Sequence, residues 1–297
     1  MRADVEFTSA GLTLRGWLYR PEATAPAPAI VMSHGFSAVK EQGLSGFAEA
    51  FAAAGLAALV FDYRHLGASD GDDRGRVIPQ EQHDDLRAAI AFLAAQPGID
   101  PERIGLWGTS YAGGHAMFVG SLDPRIKAIV AQAPAISVAR SLIGLVGQDG
   151  FAGYLGLLAA DHAARNAGQP GGRIPVVAPA GQPSVLSTPD SYEWFSRTGA
   201  EAGTWINDTS LESVARMAEY LPASMIGVVA AKPLLLIAGT NDSLIPIAQV
   251  HEVHANAPEP KALAEYPCGH FDFYTGMPFH AQAAKQATAW FSEHLAS

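Results

Sequence analysis

The chain has one cysteine, Cys268, in 297 residues. That excludes an internal disulfide framework and any cysteine-rich zinc site, so stability has to come from packing. Basic residues are also scarce. The 19 Lys and Arg stand against 29 Asp and Glu, a formal net charge of −10 with a pI near 5.4. A phosphate backbone or an anionic bilayer would be repelled at neutral pH, which argues against nucleic acid and membrane as partners. No unbroken apolar run approaches the roughly 20 residues that a bilayer-spanning helix needs, and the opening MRADVEFTSAGLTLRGW lacks the apolar core of a signal peptide. The expectation is a cytoplasmic protein. Repeats and low-complexity tracts are also missing.

What is present is apolar residue, 48% of the chain, enough to bury one sizeable core. VEFTSAGLTLRGWLY alternates apolar and polar residues around Ser-Ala-Gly, the pattern of an antiparallel hairpin. From about residue 27 short apolar runs such as AIVMSHG, LAALVFDY, RIGLWG and IKAIVAQAP alternate with helical stretches. Runs of this unbroken kind are strands buried on both faces, and alternation with helices implies right-handed crossovers and a mostly parallel sheet. The fold class is therefore α/β. The rhythm stops near Pro134 and resumes at PLLLIAGTND, so residues 1–135 and 231–297 are expected to form the core and 136–230 a largely helical cap. That segment is too long and too rich in aromatics for a plain crossover loop or a disordered linker. Among its aromatics, Tyr154, Trp194 and Trp205 are the candidate substrate contacts.

Chemistry concentrates in RIGLWGTSYAGGHAM. Ser110 follows an apolar strand and opens a helix, the context that gives a G-x-S-x-G nucleophile elbow its meaning. The tight turn brings the backbone near residues two before and two after, so these must be small; here they are Gly108 and Ala112. A serine hydroxyl needs a base and a group that orients the base. TNDSLIP, after the run PLLLIAG, offers Asp242, and PCGHFDFY, one strand later, offers His270. Loops at the carboxyl ends of neighbouring parallel strands converge on one rim, where Ser110, Asp242 and His270 can meet. The chain order Ser, Asp, His is that of the α/β-hydrolase arrangement. An oxyanion would be held by the N–H of Tyr111 at the start of the helix and the N–H of Phe36, after the turn at Gly35. His34 is expected to be a structural histidine bonded to backbone.

Together SHGFSAVKE, VFDYRHLGASDG, DPERIGLWGTSYAGG, AGTNDSLIP and CGHFDFY resemble the α/β-hydrolase superfamily. Within it they are most similar to the branch of dienelactone-hydrolase-like esterases, polyketide transferases and thioesterases, and more distantly to the cocaine esterase and X-prolyl peptidase group. The resemblance implies Ser110 as nucleophile, Asp242 as acid, His270 as base, and Phe36 and Tyr111 as oxyanion donors, with no cofactor and no metal. Ala112, where the elbow usually has glycine, is a departure.

The implied reaction is hydrolysis of a carboxylic ester or thioester with a small, hydrophobic acyl substrate. Acyl transfer to an alcohol or amine, and non-catalytic ligand binding on the same fold, are the alternatives, and a homodimer is allowed. Other residues read as structural. Cys268 is a small buried apolar residue. Asp62, Asp70, Asp72 and Asp73 do not match a calcium loop and read as a solvated turn with Asp62 paired to Arg64, although Asp62 is the fallback acid. His251 and His254 lie on an exposed helix face, and Asp84 and Asp85 on the solvated face of a helix whose Leu86, Ile90 and Leu93 point inward.

Overall fold

In the computed structural model, which describes residues 1–22, 26–228 and 231–296, the first alternating stretch forms strands β1 (Arg2–Ser9) and β2 (Leu12–Tyr19). They pair antiparallel through a turn at Ala10 and Gly11, both at positive φ. Next come β3 (Ala27–Ser33), helix α1 (Ser45–Ala53), β4 (Ala57–Phe61), α2 (Pro79–Ala94), β5 (Ile99–Thr109), α3 (Tyr111–Leu122) and β6 (Ile126–Gln132). The α2 helix starts at a proline, which has no N–H to leave orphaned, and buries Leu86, Ala89, Ile90 and Leu93 along one face.

After β6 the chain enters a mainly helical insertion: α4 (Val138–Asn166), β7 (Arg173–Ile174), α5 (Pro189–Ala202), β8 (Thr209–Ser210), α6 (Leu211–Ala218) and a short 3₁₀ turn at Pro222–Met225. It returns to the sheet in β9 (Leu234–Gly239), α7 (Ile247–Asn256), β10 (Lys261–Tyr266) and α8 (His280–His294). The main sheet has the order β1-β2-β4-β3-β5-β6-β9-β10. From β4 through β10 every neighbour is parallel, so all these carboxyl ends lie on one rim. The core strands are buried on both faces, all of β4 and β9 included. This is the expected α/β class. Trp107, Phe47, Phe51, Phe61 and Phe291 fill its core.

Helix α4 is apolar on average, although no unbroken apolar run in it is long. It is long and apolar enough to cross a membrane, with a mean hydropathy of 1.3 over 18 residues and little of that surface buried. Glycines and a Gln-Asp pair interrupt any apolar run in the sequence, so the average is high although no run is long. Gly147, at φ 72°, breaks the helix, so its two parts are not one straight rod.

Candidate active site

Ser110 stands between β5 and α3 at φ 58° and ψ −123°, a conformation that residues with a side chain rarely adopt. Hydrogen bonds clamp the turn: the Ser110 N–H donates to the Gln132 carbonyl at 2.8 Å, and the Ser110 carbonyl accepts from Gly113 and Ala135, both at 2.9 Å. A methyl group on Gly108 would come within 2.0 Å of the Ala112 carbonyl oxygen, so glycine is obligatory there. At position 112 the alanine methyl is fully buried and the turn is intact, so the departure there costs the geometry nothing.

His270, in the loop after β10, reaches the same rim. Its Nε2 lies 2.9 Å from Ser110 Oγ and its Nδ1 2.7 Å from Asp242 Oδ2. Both the imidazole and the carboxylate are almost completely buried, which strengthens their interaction. The other oxygen of Asp242, Oδ1, accepts the N–H groups of Leu244 and Ile245 at 2.8 Å each, so the carboxylate cannot rotate away. A carboxylate only accepts. The Nδ1 of His270 therefore donates, and the Nε2 lone pair is left facing the serine hydroxyl.

Among the described residues, the N–H groups of Phe36 and Tyr111 have no acceptor within the protein. Gly35 lies so close that a methyl group there would sit 3.0 Å from Ser110 Cβ. The rings of Phe36 and Tyr111 meet edge to face at 5.7 Å beside the serine. Between these groups opens a cleft of about 520 Å³, counting space open to solvent. Its walls are largely aliphatic: Val138, Leu142 and Leu145 of α4, Val185 and Leu186 before α5, Met217 of α6, and Leu244 and Ile245 beside Asp242. Among the described residues no charged side chain lines it.

The aromatic residues expected to touch substrate are elsewhere. Tyr154 lies in α4, its buried hydroxyl unpartnered among the described residues, and does not line the cleft. Trp194 stacks on Phe271 at 5.0 Å and leans on Tyr274. Trp205 donates its indole N–H to the Ser37 carbonyl at 2.9 Å. Both tryptophans join the insertion to the core, and aliphatic residues spaced along the insertion form the cleft instead. Nothing in their local sequence distinguishes those aliphatics from core positions.

Asp62 does not reach His270. It is fully buried, bonded to Lys40 Nζ at 2.7 Å and to the N–H groups of Lys40 and Ala68. Arg64 pairs instead with Asp85, also fully buried, at 2.6 Å. The solvated Asp62–Arg64 turn and the exposed Asp85 are therefore corrected: each carboxylate has a cation from another segment that the local sequence did not indicate. Asp84 is exposed and faces Arg87. His251 is exposed and bonds Glu265. His34 is buried, its Nδ1 3.1 Å from the Gly35 carbonyl, and burial pushes its pKa down to about 4. Burial pushes the Cys268 thiol up to about 12, which leaves it protonated and inert at neutral pH. No group of three or more metal-ligating side chains occurs among the described residues.

Similarity to known proteins places the chain in a family. The chain is 34% identical over 275 residues to the thiohydrolase aneE of Aspergillus aculeatus, covering 89% of this chain and 84% of that one. It is 31% identical over 281 residues to the quorum-quenching protein AidA of Acinetobacter baumannii, covering 93% and 90%. The crystal structure of the α/β hydrolase GrgF from Penicillium sp. sh18 superimposes with a TM-score of 0.82 at 25% identity over the whole of both chains. The family model for X-Pro dipeptidyl-peptidase (S15 family) matches residues 11–272. With this match over most of its length, on a fold shared with solved α/β hydrolases, the chain belongs to the X-Pro dipeptidyl-peptidase (S15) family of the α/β-hydrolase superfamily.

Proposed function

We propose that the protein is a serine hydrolase that cleaves a carboxylic ester or thioester. The observation that carries this reading is the continuous hydrogen-bonded line from Ser110 Oγ through His270 to Asp242, at 2.9 and 2.7 Å. Ser110 Oγ attacks the substrate carbonyl as its proton passes to His270 Nε2, and Asp242 stabilises the imidazolium that forms. The oxygen that becomes negative is held by the N–H groups of Phe36 and Tyr111, the second at a helix N-terminus where the backbone dipole favours an anion. The C–O or C–S bond breaks as His270 returns the proton to the leaving alcohol or thiol. Water, deprotonated by the same imidazole, then attacks the acyl-serine, and the acid leaves.

The cleft supports an apolar, uncharged acyl group. A dipeptidyl substrate would bring a protonated α-amine, and among the described residues the lining offers no carboxylate to receive it. The peptidase activity in the family's name is therefore not the one we assign. Residues 136–230 serve as the cap, since α4 and α6 supply cleft walls.

Labelling with a fluorophosphonate probe tests the reading. Wild type should be modified and Ser110→Ala spared; a folded wild type that resists the probe would reduce the protein to a ligand-binding module. Turnover of p-nitrophenyl acyl esters with added alcohols and amines separates hydrolysis from acyl transfer. Free acid as the sole product assigns a hydrolase, and acylated acceptor a transferase.

A further inference from the structure

The loop between β3 and α1 carries the Phe36 amide, is irregular, and is almost entirely buried. A buried loop without regular structure must find partners for its polar groups elsewhere. On the core side the Lys40 N–H and Nζ both bond Asp62, each at 2.7 Å. On the other side the partners come from the insertion. Trp205 Nε1–H donates to the Ser37 carbonyl at 2.9 Å, immediately after Phe36, and Ser37 itself is held at φ 52°. Gln42 donates to Thr198 Oγ1 of α5 at 2.8 Å while its own carbonyl oxygen accepts the Val39 N–H at 3.0 Å. Thr204 reaches Glu41 at 3.3 Å.

The insertion side of this contact is itself stiff. A methyl group on Gly199 would come within 2.1 Å of the Trp205 ring, so the indole lies directly on the α5 backbone. The ring also stacks on Phe195 at 5.4 Å, and Thr198 Oγ1 donates to the Trp194 carbonyl at 2.8 Å. Helix α5 and Trp205 therefore meet the loop as one unit. Neither Trp205 nor Thr198 lines the cleft.

We infer that Trp205 and the Gln42–Thr198 pair are positioning residues for the oxyanion site, so that docking of the insertion sets the Phe36 amide at its transition-state distance. The inference rests on the serine-hydrolase reading above. The Ser37 carbonyl shares its peptide unit with the Ala38 N–H, which donates to the Gly35 carbonyl at 3.2 Å, and that carbonyl shares its peptide unit with the Phe36 N–H. Releasing the Ser37 carbonyl from Trp205 therefore loosens the turn that aims the Phe36 amide, and an oxyanion donor acts only when aimed where charge develops. Such a loss appears in the transition state and not in substrate affinity.

The test uses the full chain with Trp205→Phe, which removes the indole N–H and keeps an aromatic ring, and Thr198→Val, which removes the acceptor for Gln42 at nearly constant volume. On a short p-nitrophenyl ester each variant should lose about 10- to 100-fold in kcat, less than the roughly 100- to 1000-fold cost of removing an oxyanion donor outright because the amide is misaimed rather than lost, with KM changed less than about twofold. The affinity of an alkyl boronic acid, which forms a tetrahedral anion on the serine, should fall by the same factor. A purely structural role would lower the melting temperature and leave kcat and boronate affinity per folded enzyme unchanged. That outcome in either folded variant, or a rise confined to KM, overturns the inference. If Trp205→Phe does not fold, Thr198→Val alone decides. Wild type that neither turns over esters nor takes up the fluorophosphonate defeats the hydrolase reading first, and this inference with it.

Discussion

Gly35 presses on the nucleophile: a methyl group at its Cα would lie 3.0 Å from Ser110 Cβ and 3.4 Å from Oγ. Its backbone conformation is ordinary, so the demand for glycine is one of space. Gly35→Ala should push the serine or the Phe36 amide out of line and cost about 100-fold in kcat/KM, comparable to losing an oxyanion donor, with a melting temperature close to that of wild type. Steady-state kinetics beside a thermal melt would check it.

Asp242→Asn should be more damaging than its small change in shape implies. The N–H groups of Leu244 and Ile245 hold Oδ1, so the asparagine carbonyl stays with them and its NH₂ turns to His270 Nδ1. Nδ1 then has to accept, and Nε2 carries a proton towards Ser110 where a lone pair is needed. A loss of roughly 10⁴-fold in kcat is expected from the wrong tautomer, with little change in KM. Activity near the wild-type level would show that Asp242 does not orient the imidazole.

Lys40→Met should destabilise the fold. Asp62 is fully buried, and Lys40 Nζ at 2.7 Å is its cationic partner. Removing one member of a buried pair leaves an uncompensated charge, typically at a cost of about 3 to 5 kcal/mol. Urea denaturation of the two proteins measures the difference; a change below about 1 kcal/mol would mean that water enters and solvates Asp62.

The protein should be acid-labile from below pH 6.5. His83 Nε2 and His115 Nδ1 share the Tyr220 hydroxyl at 2.7 and 2.8 Å, and His115 Nε2 faces Gln82 Oε1 at 2.8 Å. Burial holds His34 at about 4, His83 at about 3 and His115 well below the ordinary value of 6.5. Below 6.5 the unfolded chain binds protons that the folded chain refuses. Stability is therefore full above that value and falls towards pH 4. The slope approaches about 1.4 kcal/mol per pH unit for each histidine. Urea midpoints between pH 7.5 and 5 should trace it, and His115→Gln should make the slope shallower. A flat profile would be incompatible with neutral buried imidazoles.

Cys268 should not react with iodoacetamide in the native protein at pH 8, since burial raises its thiol to about 12. Cys268→Ala should retain ester turnover within about twofold, as is usual for a modest change away from the reacting atoms. Alkylation that parallels loss of activity in native protein would contradict this.

The parts legible in the sequence are those whose physics is local. An unbroken apolar run such as LAALVFDY can only be a strand covered on both faces, and a serine between Gly108 and a helix start can only sit in a turn too tight for a side chain two residues earlier. That Ser110, Asp242 and His270 could meet followed from the same logic, because each follows a parallel strand and parallel strands bring their carboxyl ends to one edge. Partner choice is different. That Asp62 takes Lys40 while Arg64 takes Asp85, that aliphatic residues of α4 and α6 wall the cleft, and that Trp205 holds the Ser37 carbonyl depend on distances between elements far apart along the chain. Hydropathy and spacing register whether a residue will be buried, but not against which neighbour. Packing of the insertion on the sheet made that choice.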